Sequence, residues 1–382
     1  MRKAPWLLSH VCRRWRAVAI LTPMLWRFLT VSLKGSRERR DGVLQLMTLF
    51  LDRSSPCPIS LDIRRGYGSA LDCTTLAILE ILMNTSDRWE ALRIIAKGIF
   101  IQRFSPTRSR LPRLRHLELT RYETFQSDIS PAHIDAFADA PRLHHVIFSN
   151  DQPLSVLLPW RQLTEFHTSY DELDTILKSL RDLVNVVTLK LDQFDGSCVT
   201  EQPPVHLPRL HILSLISKNE EDGWAGDIFD YLCLPALASL TIECNTIDVY
   251  PHITSLVSRS ACALESLTLW ISGALHDTFL AALLENTPQL THLSLRGGRV
   301  GDGVFEQLTN ANTALVPRLA SLTLYVLFTQ ASLASLVAAR FGPAGALTQV
   351  HLPALKFADM EPVLRSRLRP LYRQGLIVKV MP

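Results

Sequence analysis

The sequence predicts an α/β solenoid, in which stacked repeats form one long parallel sheet on the inside and a wall of helices on the outside. Three observations predict this class. A phrase with the skeleton L-x-x-L-x-L recurs along the chain, its apolar residues alternate with polar ones, and helical periodicity fills the intervals. The chain has 382 residues, of which 47% are hydrophobic, so it is long enough for such a stack and too apolar to be disordered.

The recurring phrase marks the predicted strands. Its clearest copies are LPRLRHLEL (111–119), APRLHHVIF (140–148), LPRLHILSL (207–215), LPALASLTI (234–242), ACALESLTL (261–269), TPQLTHLSL (287–295) and VPRLASLTL (316–324). Weaker copies start at positions 160, 182 and 345, and successive copies lie 20 to 29 residues apart. The alternation predicts half-buried strands, so Leu117 and Leu119 face the core whereas His116, Glu118 and Thr120 face outward.

Between the strands the apolar period changes to that of a helix. The predicted helices are 277–284, 130–139, 171–181, 250–259, 301–310 and 330–340. Prolines stand just before strands, where they end a helix without removing a hydrogen-bond donor from a strand interior: Pro112, Pro141, Pro159, Pro208, Pro235, Pro288 and Pro317. Each repeat is therefore a helix, a proline, a strand and a turn.

Repeats of this length and spelling resemble leucine-rich repeats, which implies a horseshoe with its strands on the concave side. The repeat region is predicted to span 34–360. A helix over 361–373 and a last strand over 376–380 read as a terminal cap, so 361–382 is predicted to close the stack.

Residues 1–33 do not fit the repeat. A helix is predicted over 5–19, with one apolar face made by Leu7, Leu8, Val11, Trp15 and Val18. A second short helix over 23–26 has Pro at its first turn, and 28–33 alternates like a first strand.

This head carries a specific motif: Val11-Cys12-Arg13-Arg14-Trp15, then Ala19, then Thr22-Pro23 and Leu25-Trp26. It resembles the second half of an F-box domain, and the whole chain resembles fungal F-box proteins with leucine-rich repeats. The family's opening helix, L-P-x-E-[IL]-L, is missing, so we expect an N-terminally incomplete F-box whose docking is weakened.

The resemblance implies partners: the small adaptor and the cullin scaffold of an SCF-type ubiquitin ligase. The adaptor-binding positions carried over from the family are Leu8, Val11, Cys12, Trp15, Pro23, Leu25 and Trp26. Some of these residues are expected to form the core of the head, and the others to face the adaptor. The alternative for the head is an apolar helical cap on the first repeat, with no adaptor.

Charge is unevenly distributed along the chain. The first 40 residues contain ten Lys or Arg and one Glu, whereas the other 342 contain 30 basic and 35 acidic residues. A mildly acidic body does not favour a nucleic-acid groove. The basic stretch 34–40 is either a nuclear address or a solvated loop.

The cysteine pattern and the hydropathy limit the cellular compartments in which the chain is expected. Seven cysteines without a CxxC pair are expected to be reduced and buried in an intracellular protein, with no disulfide framework and no zinc site. No apolar run reaches the ~18 residues needed to cross a bilayer, so no membrane association is expected. We therefore expect the chain in the cytoplasm, the nucleus or both.

No catalytic motif is evident in the sequence. The one Gly-dense stretch, 297–303, lacks the G-K-[ST] ending of a phosphate-binding loop, and no G-x-S-x-G or H-E-x-x-H motif occurs. We therefore expect no catalytic residue, no metal, no cofactor and no enzyme activity.

The outward positions after the last apolar strand residue are predicted to line the concave face, where a solenoid binds its partner. These positions are Thr120, Ser149, Ser169, Lys190, Ile216, Glu243, Trp270, Arg296 and Tyr325, with the copy at 182 anchored on Val184. Glu243, Trp270, Arg296 and Tyr325 should form a row roughly 15 Å long that binds a substrate protein. The alternative is a solvated strand edge.

Two functions follow. The resemblance implies a substrate-recognition subunit of an SCF (cullin-RING) ubiquitin ligase that holds an unknown target protein on its concave face. The alternative is a leucine-rich-repeat interaction scaffold with no link to ubiquitination.

Overall fold

The computed structural model describes residues 4–33, 40–66, 72–121, 133–149, 156–169, 173–192, 202–217, 226–245, 249–271, 276–310, 315–341, 346–353, 369–371 and 373–381. The chain divides into two compact units, unit 1 (Met1–Asp171) and unit 2 (Glu172–Pro382). Both units combine parallel strands with helices, which confirms the predicted mixed α/β class.

Unit 1 begins with the head and continues as a sheet. Its described helices are α1 (Ala4–Val11), α2 (Arg13–Ile20), α3 (Arg40–Ser54), α4 (Cys73–Met83) and α5 (Gly98–Ile101). Its strands are β1 (Phe28–Leu33), β2 (Ile59–Arg65), β3 (Trp89–Ala96), β4 (His116–Arg121), β5 (His145–Ser149) and β6 (Glu165–Ser169). Short 3₁₀ helices lie at Pro23–Trp26, Ser86–Arg88, Gln102–Thr107 and Trp160–Gln162. Each strand pairs in parallel with the next one along the chain.

Unit 2 repeats the same scheme. Its described helices are α6 (Leu173–Leu180), α7 (Asp227–Asp230), α8 (Val249–Ser260), α9 (Asp277–Glu285), α10 (Asp302–Thr309) and α11 (Gln330–Arg340). The strands of its main sheet are β7 (Thr188–Asp192), β9 (Ile212–Ile216), β11 (Ser239–Cys244), β12 (Ser266–Ile271), β13 (His292–Arg299), β14 (Ser321–Leu327), β15 (Gln349–Pro353) and β16 (Ile377–Met381). They pair in parallel in that order. Two-residue strands β8 (Val205–His206) and β10 (Leu232–Cys233) form a separate parallel pair.

Equivalent repeat positions stand opposite one another in the main sheet of unit 2. Leu240 pairs with Leu267, and this row continues through Leu293 and Leu322. All four leucines are essentially inaccessible to solvent. Since burying a leucine side chain contributes about 1.5–3 kcal/mol, these rows supply much of the free energy that holds the strands in register.

The predicted alternation and most of the predicted helices are confirmed. Leu117 and Leu119 are buried, whereas His116, Glu118 and Thr120 remain accessible. Helices α6, α8, α9, α10 and α11 lie within one or two residues of their predicted bounds. The predicted last strand is β16. The predicted closing helix falls partly outside the described residues, at 361–368, while 369–371 and 373 are helical.

Two predicted helices were wrong in detail. The head helix over 5–19 is broken at Cys12, which adopts an extended conformation and begins α2 as its N-cap. The helix over 130–139 is absent from 133–139, where Ile134 forms an isolated bridge to Val156 and turns follow. There the carboxylates of Asp135 and Asp139 accept hydrogen bonds from Ser105 and Ser109, which fixes this segment against the preceding loop.

The predicted register of β7 is also corrected. Asp192 pairs with Ile216, so Asp192 and not Lys190 is the outward residue equivalent to the rest of the row. In the repeat copy that starts at position 182, the first apolar core position is therefore Val186, which is buried, and not Val184, which is exposed. The segment 183–187 contains four apolar residues in five positions, so the pattern alone allowed either register.

The cysteines differ from expectation in their burial. No disulfide joins the six cysteines in the described part of the chain, but only Cys244 among them is buried, and Cys12 and Cys73 are exposed. No helix formed by described residues has both the length and the apolar character needed to span a bilayer.

Candidate functional site

The head is fixed to unit 1 by a tryptophan core. Trp26 is fully buried, and its indole Nε1–H donates to the carbonyl oxygen of Ala19 at 2.7 Å. The Trp26 ring meets Trp6 and Phe50 edge to face, with centroids 5.0 and 5.4 Å away. The guanidinium carbon of Arg53 lies 4.6 Å from the centroid of Trp26. These contacts hold α1 and α2 against α3, and they make Trp26 a core residue rather than a contact surface.

The junction between α1 and α2 is defined by local hydrogen bonds. The Sγ of Cys12 accepts from the backbone N–H of Trp15 at 3.5 Å, and Nε of Arg16 donates to the carbonyl oxygen of Ser9 at 2.8 Å. The first contact caps α2, and the second ties α2 back to α1. Two residues of the Val11–Trp15 motif therefore shape the bend, and Arg16 secures it.

The remaining apolar residues of the head lie on its surface. Among the described residues up to Trp26, the exposed large apolar side chains are Leu7, Val11, Trp15, Val18, Ile20, Leu21 and Met24, which we call the head surface. Trp15 is 52% exposed and Val11 64% exposed. Leu7 and Val11 are four residues apart on α1 and so lie on one side of that helix. Large exposed apolar residues that share a face mark an interaction site more often than single scattered ones do.

The predicted adaptor-binding residues divide into three groups by burial. Val11, Cys12 and Trp15 are exposed, Leu8, Pro23 and Leu25 are half-buried, and Trp26 is buried. Sequence reasoning made no prediction for α3, whose opposite sides are both apolar. Its Met47, Phe50 and Leu51 are buried, whereas Val43, Leu46 and Leu49 are exposed at a spacing of three residues. Apolar residues on both sides of α3 can be recognised in the sequence from their spacing. They would have marked α3 as a second helix with an exposed apolar side.

The strand residues predicted to bind a substrate are brought together in unit 2. Glu243, Trp270, Arg296 and Tyr325 stand opposite one another on β11, β12, β13 and β14, and we call them the aromatic row. The guanidinium carbon of Arg296 lies 5.7 Å from the ring centroid of Trp270 and 4.8 Å from that of Tyr325. The arginine is therefore held between two aromatic rings, which limits its rotation and lowers its hydration.

Small hydroxyl residues lie beside the aromatic row. Thr241, Thr268, Ser294 and Thr323 occupy the next outward register position on the same four strands. All four are half-buried. These side chains are shorter than those of Trp270, Arg296 and Tyr325.

The outward face of the sheet in unit 1 has a different chemistry. It contains a cavity of about 300 Å³ lined by residues that include Phe28, Asp62, Arg93, His116, Glu118 and His145. Arg93 Nε forms an ion pair with Glu118 at 2.9 Å, and His145 Nδ1 lies 2.6 Å from a carboxylate oxygen of Glu165. Burial, together with the neighbouring His145 and His144, lowers the pKa of His116.

One cluster of metal-ligand types was not predicted. Asp227, Asp230 and His252 bring three potential ligand atoms within 4.8 Å of one another at α7 and α8. The Nδ1 of His252 already contacts a carboxylate oxygen of Asp230 at 2.8 Å. The cluster is explained by this hydrogen bond between neighbouring helices, so it is no more than a ligand set that could hold a cation.

No protein-family model matches the chain, and no curated protein sequence is significantly similar to it.

Proposed function

We propose that the chain is an F-box-type substrate-recognition subunit of an SCF (cullin-RING) ubiquitin ligase. In this proposal the strands belong to leucine-rich repeats arranged as a horseshoe, the head binds the ligase adaptor, and the adaptor connects the chain to the cullin. A target protein binds the aromatic row. The proposed location is the cytoplasm, the nucleus or both, where such ligases act.

The observation that carries the proposal is the division of the head motif between core and surface. Trp26, from the P-x-L-W part of the motif, is buried against Trp6 and Phe50. Val11 and Trp15, from the V-C-R-R-W part, remain exposed on a head that is already anchored. A helical cap on the first repeat would bury these side chains, whereas an adaptor-binding surface has to leave them accessible.

The basic residues of the head fit the same role. Arg13 and Arg14 are exposed beside Val11 and Trp15, so the head surface combines apolar area with positive charge. An interface of this kind favours a partner with an acidic rim around an apolar centre.

Co-purification with the ligase adaptor tests the proposal. A Val11→Asp substitution places a charge on the head surface without disturbing a buried contact, and we expect it to weaken adaptor binding at least tenfold, by about 1.4 kcal/mol or more. Val184→Asp is the matched control, since it makes the same change at another exposed valine, in unit 2. It should leave adaptor binding unchanged.

The competing function is a repeat scaffold with no link to ubiquitination. It also accounts for the aromatic row, but it gives the F-box-like motif of the head no role. If the wild-type chain and Val11→Asp both fail to retain the adaptor while the wild-type chain is folded, the scaffold is the better account.

A further inference from the structure

We infer that the aromatic row binds the carboxylate of an Asp or Glu side chain in an acidic peptide segment of the partner, with Arg296 as the recognition residue. This inference rests on the proposed function, because it names the class of substrate that the repeat face would present to the ligase.

The guanidinium of Arg296 is held in position by ring contacts but has no anionic partner among the described residues. Within the described part of the chain its guanidinium makes two ring contacts, to Trp270 and Tyr325, and no hydrogen bond or ion pair. Its Nε is buried without a hydrogen-bond acceptor, although the residue as a whole is half-buried. An unpaired arginine between two aromatic rings is partly desolvated, so an incoming carboxylate would gain charge-assisted hydrogen bonds at little cost in side-chain entropy.

Among the described strand residues, the outward positions paired with Arg296 and its neighbours carry no competing acid. Up to the level of Arg296, the outward positions that pair across β12, β13 and β14 are Ser266, Thr268, Trp270, His292, Ser294, Arg296, Ser321, Thr323 and Tyr325. None is Asp or Glu. The nearest acidic outward residue in register, Glu243, lies two strands away, which is about 10 Å.

Arg296 differs from the sheet-face arginines of unit 1 in having no acidic partner, and this difference supports its role as the recognition residue. On the sheet face of unit 1, Arg93 is paired with Glu118 and Arg64 with Asp62. Those arginines are already neutralised by acids of the same chain, so they gain little from a further anion. Arg296 lies on a sheet face too, but it is surrounded by rings and hydroxyl groups.

The charge and shape of the site favour a carboxylate over a phosphate. A single guanidinium balances one carboxylate charge, whereas a phosphorylated side chain carries about −1.5 to −2 and would leave charge uncompensated beside the rings. Trp270 is 42% exposed and Leu327, farther along β14, is 60% exposed. An acidic residue flanked by apolar ones would use both contacts.

Capped peptide pools test the inference on all 382 residues of the chain together. Each pool is a set of immobilised peptides with acetylated and amidated ends and with random positions that exclude Asp, Glu and Cys. The central residue is Glu in the first pool, Gln in the second and phosphoserine in the third. We expect the wild-type chain to retain the Glu pool at least about tenfold better than the Gln pool, the scale of a charge-assisted hydrogen-bonded pair.

Variants of the row locate the effect. Arg296→Gln should remove the preference for Glu, and Arg296→Lys should keep only part of it, because lysine retains the charge but not the planar fork. Trp270→Ala should reduce the preference by loosening the arginine. Arg318→Gln, which removes the charge of an exposed arginine outside the row, is the matched control and should retain it.

Three results would overturn the inference: equal retention of the Glu and Gln pools by the wild-type chain, a preference that survives Arg296→Gln, or stronger retention of the phosphoserine pool. Thermal unfolding of each variant separates loss of binding from loss of fold. The assay contains no adaptor, so these failures are distinguishable from failure of adaptor binding by the head, which Val11→Asp tests.

Discussion

At the scale of single residues, the two tryptophans of the head motif have opposite roles. Trp26 is fully buried and hydrogen-bonded to Ala19, whereas Trp15 is half in solvent. The sequence predicted both as members of one motif, and the F-box resemblance allowed that some members form the core of the head. It could not say which, because burial depends on how α1, α2 and α3 pack.

Alanine substitution separates the two tryptophans. We expect Trp26→Ala to lower the free energy of unfolding by about 3–5 kcal/mol, because it leaves a large cavity between Trp6 and Phe50. Trp15→Ala should change it by less than about 1 kcal/mol. Urea unfolding monitored by circular dichroism measures both, and equal losses would contradict the assigned roles.

The lowered pKa of His116 predicts that the stability of unit 1 depends on pH. Partial burial of the accessible His116 ring is the largest cause of its lowered pKa, the neighbouring His145 and His144 add to it, and Glu165 and Glu90 oppose it. The folded state therefore binds a proton less readily than the unfolded chain. The contribution of His116 to stability is complete above its ordinary pKa of 6.5 and is lost as the pH falls from there towards the lowered value.

Replacement of this histidine should flatten the pH dependence. Between about pH 7 and about pH 5, the urea midpoint of unfolding is expected to fall less steeply in His116→Gln than in the wild-type chain. His211→Gln, at an exposed position in unit 2, serves as the control. Parallel curves for wild type and His116→Gln would show that the effect lies elsewhere.

At the scale of elements, the spacing of apolar residues predicted those strands and helices whose conformation depends on neighbouring residues alone. Strands β4, β12 and β14 follow from two alternating leucines, and helix α9 follows from apolar spacing. The break at Cys12 was missed because a thiol is a weak cap and the apolar spacing continues across it. The register of β7 was missed because its run of valines and leucines fits two registers equally well.

Gly297 is the element-scale feature that shapes the aromatic row. It adopts a positive φ of 117° directly after Arg296, where the pairing between β13 and β14 becomes irregular. A Cβ at this position would overlap the carbonyl oxygen of Ile271 on β12. Only glycine fits without displacing one of the two strands.

We expect Gly297→Ala to destabilise the chain by about 2 kcal/mol or more, through backbone strain and the clash with β12. Gly42→Ala is the control, because a Cβ on this α3 residue meets no atom within 4 Å. That change should be neutral or stabilise by up to about 1 kcal/mol. Thermal unfolding compares them, and similar stability of the two variants would rule out the strain.

At the scale of the whole molecule, the assembly of the aromatic row was predictable, whereas its chemistry was not. Parallel strands in register bring equivalent positions together, so Glu243, Trp270, Arg296 and Tyr325 could be placed in one row from spacing alone. That Arg296 lacks an acidic partner while Arg93 has one depends on side-chain geometry across strands, which no repeat pattern encodes.

The outward sheet faces of the two units also differ in the kinds of side chain that they carry. The face of unit 1 is rich in paired charges, and that of unit 2 is rich in hydroxyls around an unpaired arginine. With the exposed apolar head, the chain has one surface suited to an apolar-centred partner and another suited to an acidic one. This division supports the proposal that the chain links a target to an adaptor.

Hydrogen–deuterium exchange with and without the purified ligase adaptor shows whether the adaptor binds the head, because it locates the contact as well as detecting it. We expect slower exchange in Ala4–Ile20 on addition of the adaptor, with the strands of the aromatic row unchanged. Unchanged exchange throughout the head at saturating adaptor, or protection confined to unit 2, would contradict it.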